Sequence, residues 1–257
     1  MGGKILKRFV PMVAIDVATK QEAIDLFDKL MVKPQPIVKI GMELYYGLGQ
    51  VIVKEAKKRG FKVFLDLKLY DISNTVHRAM AAIGRLGIDF TTIHAAGGSE
   101  MLIAGLAGLE EGAKEAGVEP AKLLAITQLT SIDEKILHEQ QHVDLSLIES
   151  VQSYARLAEK VGLAGVVCSA HEIKAIREVT GDDFLCVTPG IRPTHAIKDD
   201  QKRVVTPAQA RIVVTPAQAR IDGSNAIVVG RPITQSFDPV AAYQEVQKAF
   251  LNEEEEK

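Results

Sequence analysis

Apolar positions in this chain follow two alternating rhythms. Short apolar runs of strand length are each followed by a stretch in which apolar residues recur every three or four positions. The first run, Phe9 to Ile15, closes on Asp16, and Ala23, Ile24, Phe27 and Leu30 then mark a helix over Lys20–Leu30. Ile37–Gly41 repeats the form, with a helix over Val51–Arg59 that Gly60 ends. A third strand begins at Val63 and leads to a helix over Ser73–Leu86, with Ser73 or Asp71 as N-cap and Gly87 as the stop. Ile88–His94 precedes an Ala- and Leu-rich helix ending near Gly117, and Leu123–Thr127 precedes helical material up to Val161. Gly165–Cys168, Phe184–Val187 and Ala226–Val229 complete the strands, and a helix over Pro239–Leu251 closes the chain. Eight such even units in 257 residues predict an α/β fold, a single-domain TIM (β/α)8 barrel over residues 1–257, in preference to an open doubly wound sheet.

The third strand is the one that breaks the pattern. In Val63-Phe64-Leu65-Asp66-Leu67-Lys68-Leu69, side-chain alternation puts Asp66 and Lys68 on one face and the leucines on the other. Asp71 follows at the turn into the helix, where it can project sideways. Buried charges cost several kcal/mol unless paired, so their presence needs either a structural ion pair that plugs the barrel or a chemical use. A barrel predicts that polar residues gather where its strands end, because barrel enzymes build their sites on that face. Asp16, Lys39, Asp66, Lys68, His94, Thr130, Arg192 and Arg231 all fall at or just past predicted strand ends.

Two arginine loops stand among them. Thr188-Pro189-Gly190-Ile191-Arg192-Pro193 follows the seventh strand, and Val229-Gly230-Arg231-Pro232 follows the eighth. Glycine lets a backbone N–H approach an anion, and each guanidinium fork matches phosphate oxygens. Either motif alone reads equally well as a turn. Their joint place on the last two strands, the usual phosphate site of such barrels, favours phosphate binding, with Gln201 farther along the loop as a further amide donor.

Composition narrows the function classes. A net charge of -2 without a Lys/Arg block gives no nucleic-acid footprint, and no apolar run approaches the roughly 18 residues of a membrane span. Cys168 and Cys186 lie in apolar runs and read as core thiols of a reducing, cytoplasmic compartment. No second His or carboxylate stands at metal-ligand spacing from His94, which reads as a hydrogen-bonded rim histidine. Met42, Tyr45 and Tyr46 read as packing, and Gly97-Gly98 is too short for a dinucleotide fingerprint.

Taken together, Ala14-Ile15-Asp16, Val38-Lys39-Ile40-Gly41, Phe64 to Ile72, Gln128-Leu129-Thr130-Ser131 and the two arginine loops resemble the bacterial type of the orotidine 5'-monophosphate decarboxylase family along nearly the whole chain. The resemblance implies decarboxylation of orotidine 5'-monophosphate (OMP) to UMP and CO2 in pyrimidine biosynthesis, without metal or organic cofactor. It implies Lys68 as proton donor, with Asp66, Lys39 and Asp71 completing a charge array. By the same likeness Asp16 and Lys39 hold ribose hydroxyls, Thr130 and Ser131 meet the pyrimidine, and Arg192, Gln201, Gly230 and Arg231 hold the phosphate. A homodimer is implied too, with Asp71 and Thr75 reaching into the neighbouring subunit's site. The rivals are a Mg²⁺-dependent sugar-phosphate decarboxylase or aldolase of the same superfamily, and a nucleotide-binding barrel without turnover.

One feature departs from the family pattern. Val204–Ile212 is repeated unchanged as Val213–Ile221, where the resemblance calls for one copy. Pro216 would break a helix running through both, and nine extra residues would turn its buried face away. The second copy is therefore expected to form the helix before the eighth strand, while the first lengthens the phosphate loop.

Overall fold

The computed structural model describes residues 6–193 and 214–252. Eight parallel strands close into a barrel in sequence order: β1 (Met12–Ala14), β2 (Ile37–Gly41), β3 (Lys62–Leu69), β4 (Phe90–His94), β5 (Lys122–Ile126), β6 (Gly165–Val167), β7 (Leu185–Thr188) and β8 (Ala226–Val229). The expected TIM barrel is what forms.

Two apolar layers follow from strand alternation. Met12, Ile37, Phe64, Phe90, Leu124, Leu185 and Val228 fill the barrel interior, while Val13, Val38, Val63, Leu65, Leu123 and Ile227 face the surrounding helices. The interior parity carries functional consequences: it runs from Phe64 through Asp66 to Lys68 on β3, and from Phe90 through Thr92 to His94 on β4. Apolar residues plug the lower half, so the polar ones are raised to the C-terminal mouth.

The helices start and stop largely where local chemistry dictates. Thr19 and Ser146 each close a capping box onto Glu22 and Glu149, and Gly117 ends its helix in the left-handed conformation. The helix Ser73–Gly84 differs from expectation: its N-cap is Ile72, without a side-chain cap. Asp71 Oδ1 instead accepts the adjacent Ile72 N–H at 2.7 Å, one residue too early to cap the first turn. A helix over Met42–Leu48 was not evident in the sequence; Gly49, at φ 62°, separates it from Gln50–Lys58.

Ser73–Gly84 and Gly98–Ala116 pack backbone against backbone. A Cβ on Gly108 would strike the His77 carbonyl, and one on Gly112 the Ala81 carbonyl. This contact fixes the helix that carries Thr75 to the scaffold.

The helix before β8 is Pro216–Ile221, built on the second repeat copy, with Thr215 Oγ1 accepting the Gln218 N–H at 3.1 Å. Val214, at the start of that copy, pairs with Ile191, and the Arg192 N–H donates to the Val214 carbonyl at 3.1 Å. The first copy lies outside the described residues.

Candidate active site at the barrel mouth

A cavity of about 360 Å³ opens at the C-terminal ends of the strands, a size suited to a small ligand. Ten strand-end and loop positions matter most to it. Asp16, Lys39, Asp66 and Lys68 line one side, while Gly190, Arg192, Gly230 and Arg231 line the other, with Gln128 and Thr130 between them.

The charges on the β1–β3 side form two ion pairs. Lys68 Nζ lies 2.7 Å from Asp66 Oδ2, and Lys39 Nζ lies 3.2 Å from Asp16 Oδ1. Gly41 lies close to this pair, where a Cβ would come within 3.3 Å of Lys39 Nζ and 3.4 Å of Asp16 Oδ1. Asp66 is mostly shielded, its side chain 12% exposed, whereas the Lys68 side chain keeps 31%. The carboxylate is thus held and the ammonium reaches the open cavity.

Lys68 attains this position through an irregular backbone. Its φ is 50°, uncommon for a residue with a Cβ, and the β3–β4 register shifts between Leu65 and Leu69. The Lys68 N–H, displaced from the ladder, donates to Thr92 Oγ1 at 2.9 Å. Thr92 Oγ1 in turn donates to Asp66 Oδ1 at 2.9 Å.

On the β7–β8 side, burial and then the neighbouring charge of Arg231 push the Arg192 guanidinium below its ordinary pKa. Two cations facing one cavity favour an anion between them. Gly230 packs beside β1, where an added Cβ would come within 3.5 Å of Ala14 Cβ and 3.7 Å of Asp16 Oδ2.

Several expectations need amendment. His94 is not a hydrogen-bonded rim residue: its Nδ1 is buried without a partner among the described residues, and its ring packs 5.6 Å from Tyr70. Burial and then the Lys68 charge lower its pKa, which leaves the imidazole neutral near pH 7. Met42 and Tyr46 are exposed, the latter at 69%, so only Tyr45 packs as expected. Ser131 is exposed and does not line the cavity, whereas Asp71 and Thr75, expected to serve the neighbouring subunit rather than this cavity, are exposed outside it. Gln201 lies outside the described residues.

Two site residues escaped the sequence reading. Thr92 has no charge to announce it, although it shares the interior parity of His94. Gln128 lines the cavity while its Nε2 donates to Ser150 Oγ at 3.0 Å in the interior.

Fold and site together define a TIM-barrel protein of the enzyme type, with ionised side chains gathered at the mouth and arginines above the last two strands. Residues 11–246 match the family described as "Orotidine 5'-phosphate decarboxylase / HUMPS family". The chain is 52% identical over 239 residues to the orotidine 5'-phosphate decarboxylase of Latilactobacillus sakei subsp. sakei (strain 23K), covering 93% of this chain and 96% of that one. It is 47% identical to that of Lactococcus lactis subsp. lactis (strain IL1403), with 92% and 96% covered. The crystal structure of orotidine 5'-phosphate decarboxylase from Lactobacillus acidophilus superposes with a TM-score of 0.81 at 43% identity, covering 94% of this chain and 98% of that one. The chain belongs to the orotidine 5'-phosphate decarboxylase family.

Proposed function

We propose that this barrel decarboxylates orotidine 5'-monophosphate to UMP and CO2 in pyrimidine biosynthesis, with Lys68 protonating C6. The observation that carries the reading is the Lys68 ammonium, 2.7 Å from Asp66 and inside the cavity that Arg192 and Arg231 border.

Heterolysis of the C6–carboxylate bond releases CO2 and leaves the electron pair on C6, in an orbital that the ring stabilises poorly. Fixed charge and a ready proton must therefore lower the barrier. The Lys68 ammonium supplies both, beside the developing anion in a site whose dipoles need not reorganise. It gives one N–H proton to C6 and is reprotonated from water after release. Asp66 stands near the substrate carboxylate and disfavours the ground state. Asp16 and Lys39, already paired, take the ribose hydroxyls, and Thr130 takes the pyrimidine edge. Arg192, Gly230, Arg231 and Gln201 hold the phosphate, which is remote from the breaking bond and contributes binding energy there.

The partner in this reading is a second copy of the chain. Tyr70 and Ile72 are 62% and 72% exposed on either side of Asp71, with Thr75 exposed on the next turn. A dimer would cover these apolar side chains and carry Asp71 and Thr75 into the neighbouring site. The compartment is the cytoplasm, in keeping with two free thiols, Cys168 and Cys186. No described helix is long and apolar enough to cross a membrane.

A spectrophotometric assay of OMP loss, run with and without EDTA, tests the reading. Turnover that EDTA leaves unchanged supports it. Turnover abolished by EDTA would point to the Mg²⁺-dependent branch, although Lys39 occupies the β2 end where that chemistry wants a carboxylate. Binding of UMP without any turnover would mark a barrel disabled by its repeat.

A further inference from the structure

We infer that Thr92 is the positioning residue for the Asp66–Lys68 pair, one hydroxyl fixing the carboxylate through its side chain and the lysine through its main chain. This rests on the reading of Lys68 as proton donor.

The argument is one of hydrogen-bond accounting. The register shift between Leu65 and Leu69 takes the Lys68 N–H out of the β3–β4 ladder and leaves a part-buried donor that needs another partner. Thr92 is fully buried, so its hydroxyl must also be satisfied from within. It accepts the Lys68 N–H at 2.9 Å, which commits its own proton outward to Asp66 Oδ1 at 2.9 Å. Asp66 Oδ2 then receives the Lys68 ammonium at 2.7 Å, closing a ring of three bonds. Within that ring the direction of each donor is fixed by the others. The left-handed backbone at Lys68, φ 50°, is unfavourable for a residue with a Cβ, and the bond to Thr92 helps to hold it. Thr92 does not itself line the cavity but bonds to two residues that do, so its effect passes through Asp66 and Lys68.

Thr91, the adjacent threonine, provides the matched control. It is equally buried and its Oγ1 donates to the Leu65 carbonyl of β3 at 2.9 Å, away from the ion pair. Thr92→Val keeps the branched shape and removes both bonds; Thr92→Ser keeps the hydroxyl; Thr91→Val removes a bond of the same kind elsewhere. Misplacing a reacting group by about 1 Å can slow chemistry about a hundredfold.

The test is steady-state decarboxylation of OMP by these variants and Lys68→Ala, each with its melting temperature and UMP affinity. The expected result is a kcat lowered ten- to hundredfold in Thr92→Val, with KM and UMP affinity within threefold. Thr92→Ser should stay within threefold of the unaltered chain, and Thr91→Val should lose stability but not kcat. Should Thr92→Val fail to fold, Thr92→Ala, which introduces no new bulk, carries the same expectation. Normal kcat in the folded Thr92 variant, or equal losses in Thr92→Val and Thr91→Val, or in Thr92→Val and Thr92→Ser, would overturn the inference. Retained turnover in Lys68→Ala would instead sink the proton-donor reading on which it stands.

Discussion

Arg192 and Arg231 turn their positive charges on one another across the mouth of the cavity, and the Arg192 guanidinium is held below its ordinary pKa in consequence of burial and that neighbour. A doubly charged phosphate between them would relieve the repulsion. A hydrogen bond to a charged group contributes about 1.5–3 kcal/mol, or about ten- to a hundredfold in affinity. Arg192→Ala and Arg231→Ala should each weaken UMP binding by that factor and raise KM for OMP, with a smaller fall in kcat. Isothermal titration with UMP against uridine provides the check: uridine affinity should be almost indifferent to both substitutions.

Glu172 links stability to pH. Burial raises its carboxyl to about 7 from 4.5, although the Ser169 N–H, donating at 2.8 Å, opposes the shift. A carboxyl whose pKa is raised by folding contributes stability that is fully present below its unfolded value and lost as pH rises through the folded one. The loss therefore accumulates between pH 4.5 and about 7. It amounts to at most about 3 kcal/mol. Urea denaturation at pH 5 and pH 8 should show this slope, and Glu172→Gln should flatten it while raising stability at pH 8.

The glycines of the helix Gly98–Ala116 are held by contact. Gly108 and Gly112 lie against the carbonyls of His77 and Ala81, so a methyl group at either forces the helices apart. Gly108→Ala should lose about 1–3 kcal/mol, as overpacked interiors do, despite its better helix propensity. Thermal denaturation measures the loss, and an increase in melting temperature would show that the helices can separate freely.

Deleting nine residues tests the repeat. Removing Val204–Ile212 or Val213–Ile221 yields the same chain, because the copies are identical. The Ile191–Val214 pairing and the Thr215 cap can be made by the single remaining copy, and the loop-entropy change is only about 0.5 kcal/mol. The melting temperature should move by about 1–2 °C. KM for OMP should fall as Gln201 regains a short tether to the helix, while kcat stays level; stopped-flow or steady-state assays of the two chains side by side decide it.

How much of this could be read from the sequence depends on which force set each feature. Barrel closure and the inward face of Asp66 and Lys68 follow from alternation and burial, which the order of residues states directly. Thr92 shares that parity, but a threonine in a strand signals nothing until the lost ladder bond of Lys68 is seen. The left-handed Lys68 and the uncapped start of Ser73–Gly84 arise from hydrogen bonds between residues far apart or misaligned by one position. The helix Met42–Leu48 was hidden by Gly41, Gly47 and Gly49, whose local preference is for loops, while packing against the barrel wins. The exposure of Tyr46, Tyr70 and Ile72 was equally illegible, since an apolar or aromatic residue at helical or strand spacing reads as packing whether or not its own chain covers it.

The proton donor is tested most directly by the turnover of Lys68→Ala at saturating OMP, measured beside its affinity for UMP. The account predicts product affinity within about tenfold of the unaltered chain and a kcat lower by several orders of magnitude, the scale of a lost proton donor and its charge together. A Lys68→Ala protein that binds UMP and still releases CO2 at a near-normal rate would contradict it.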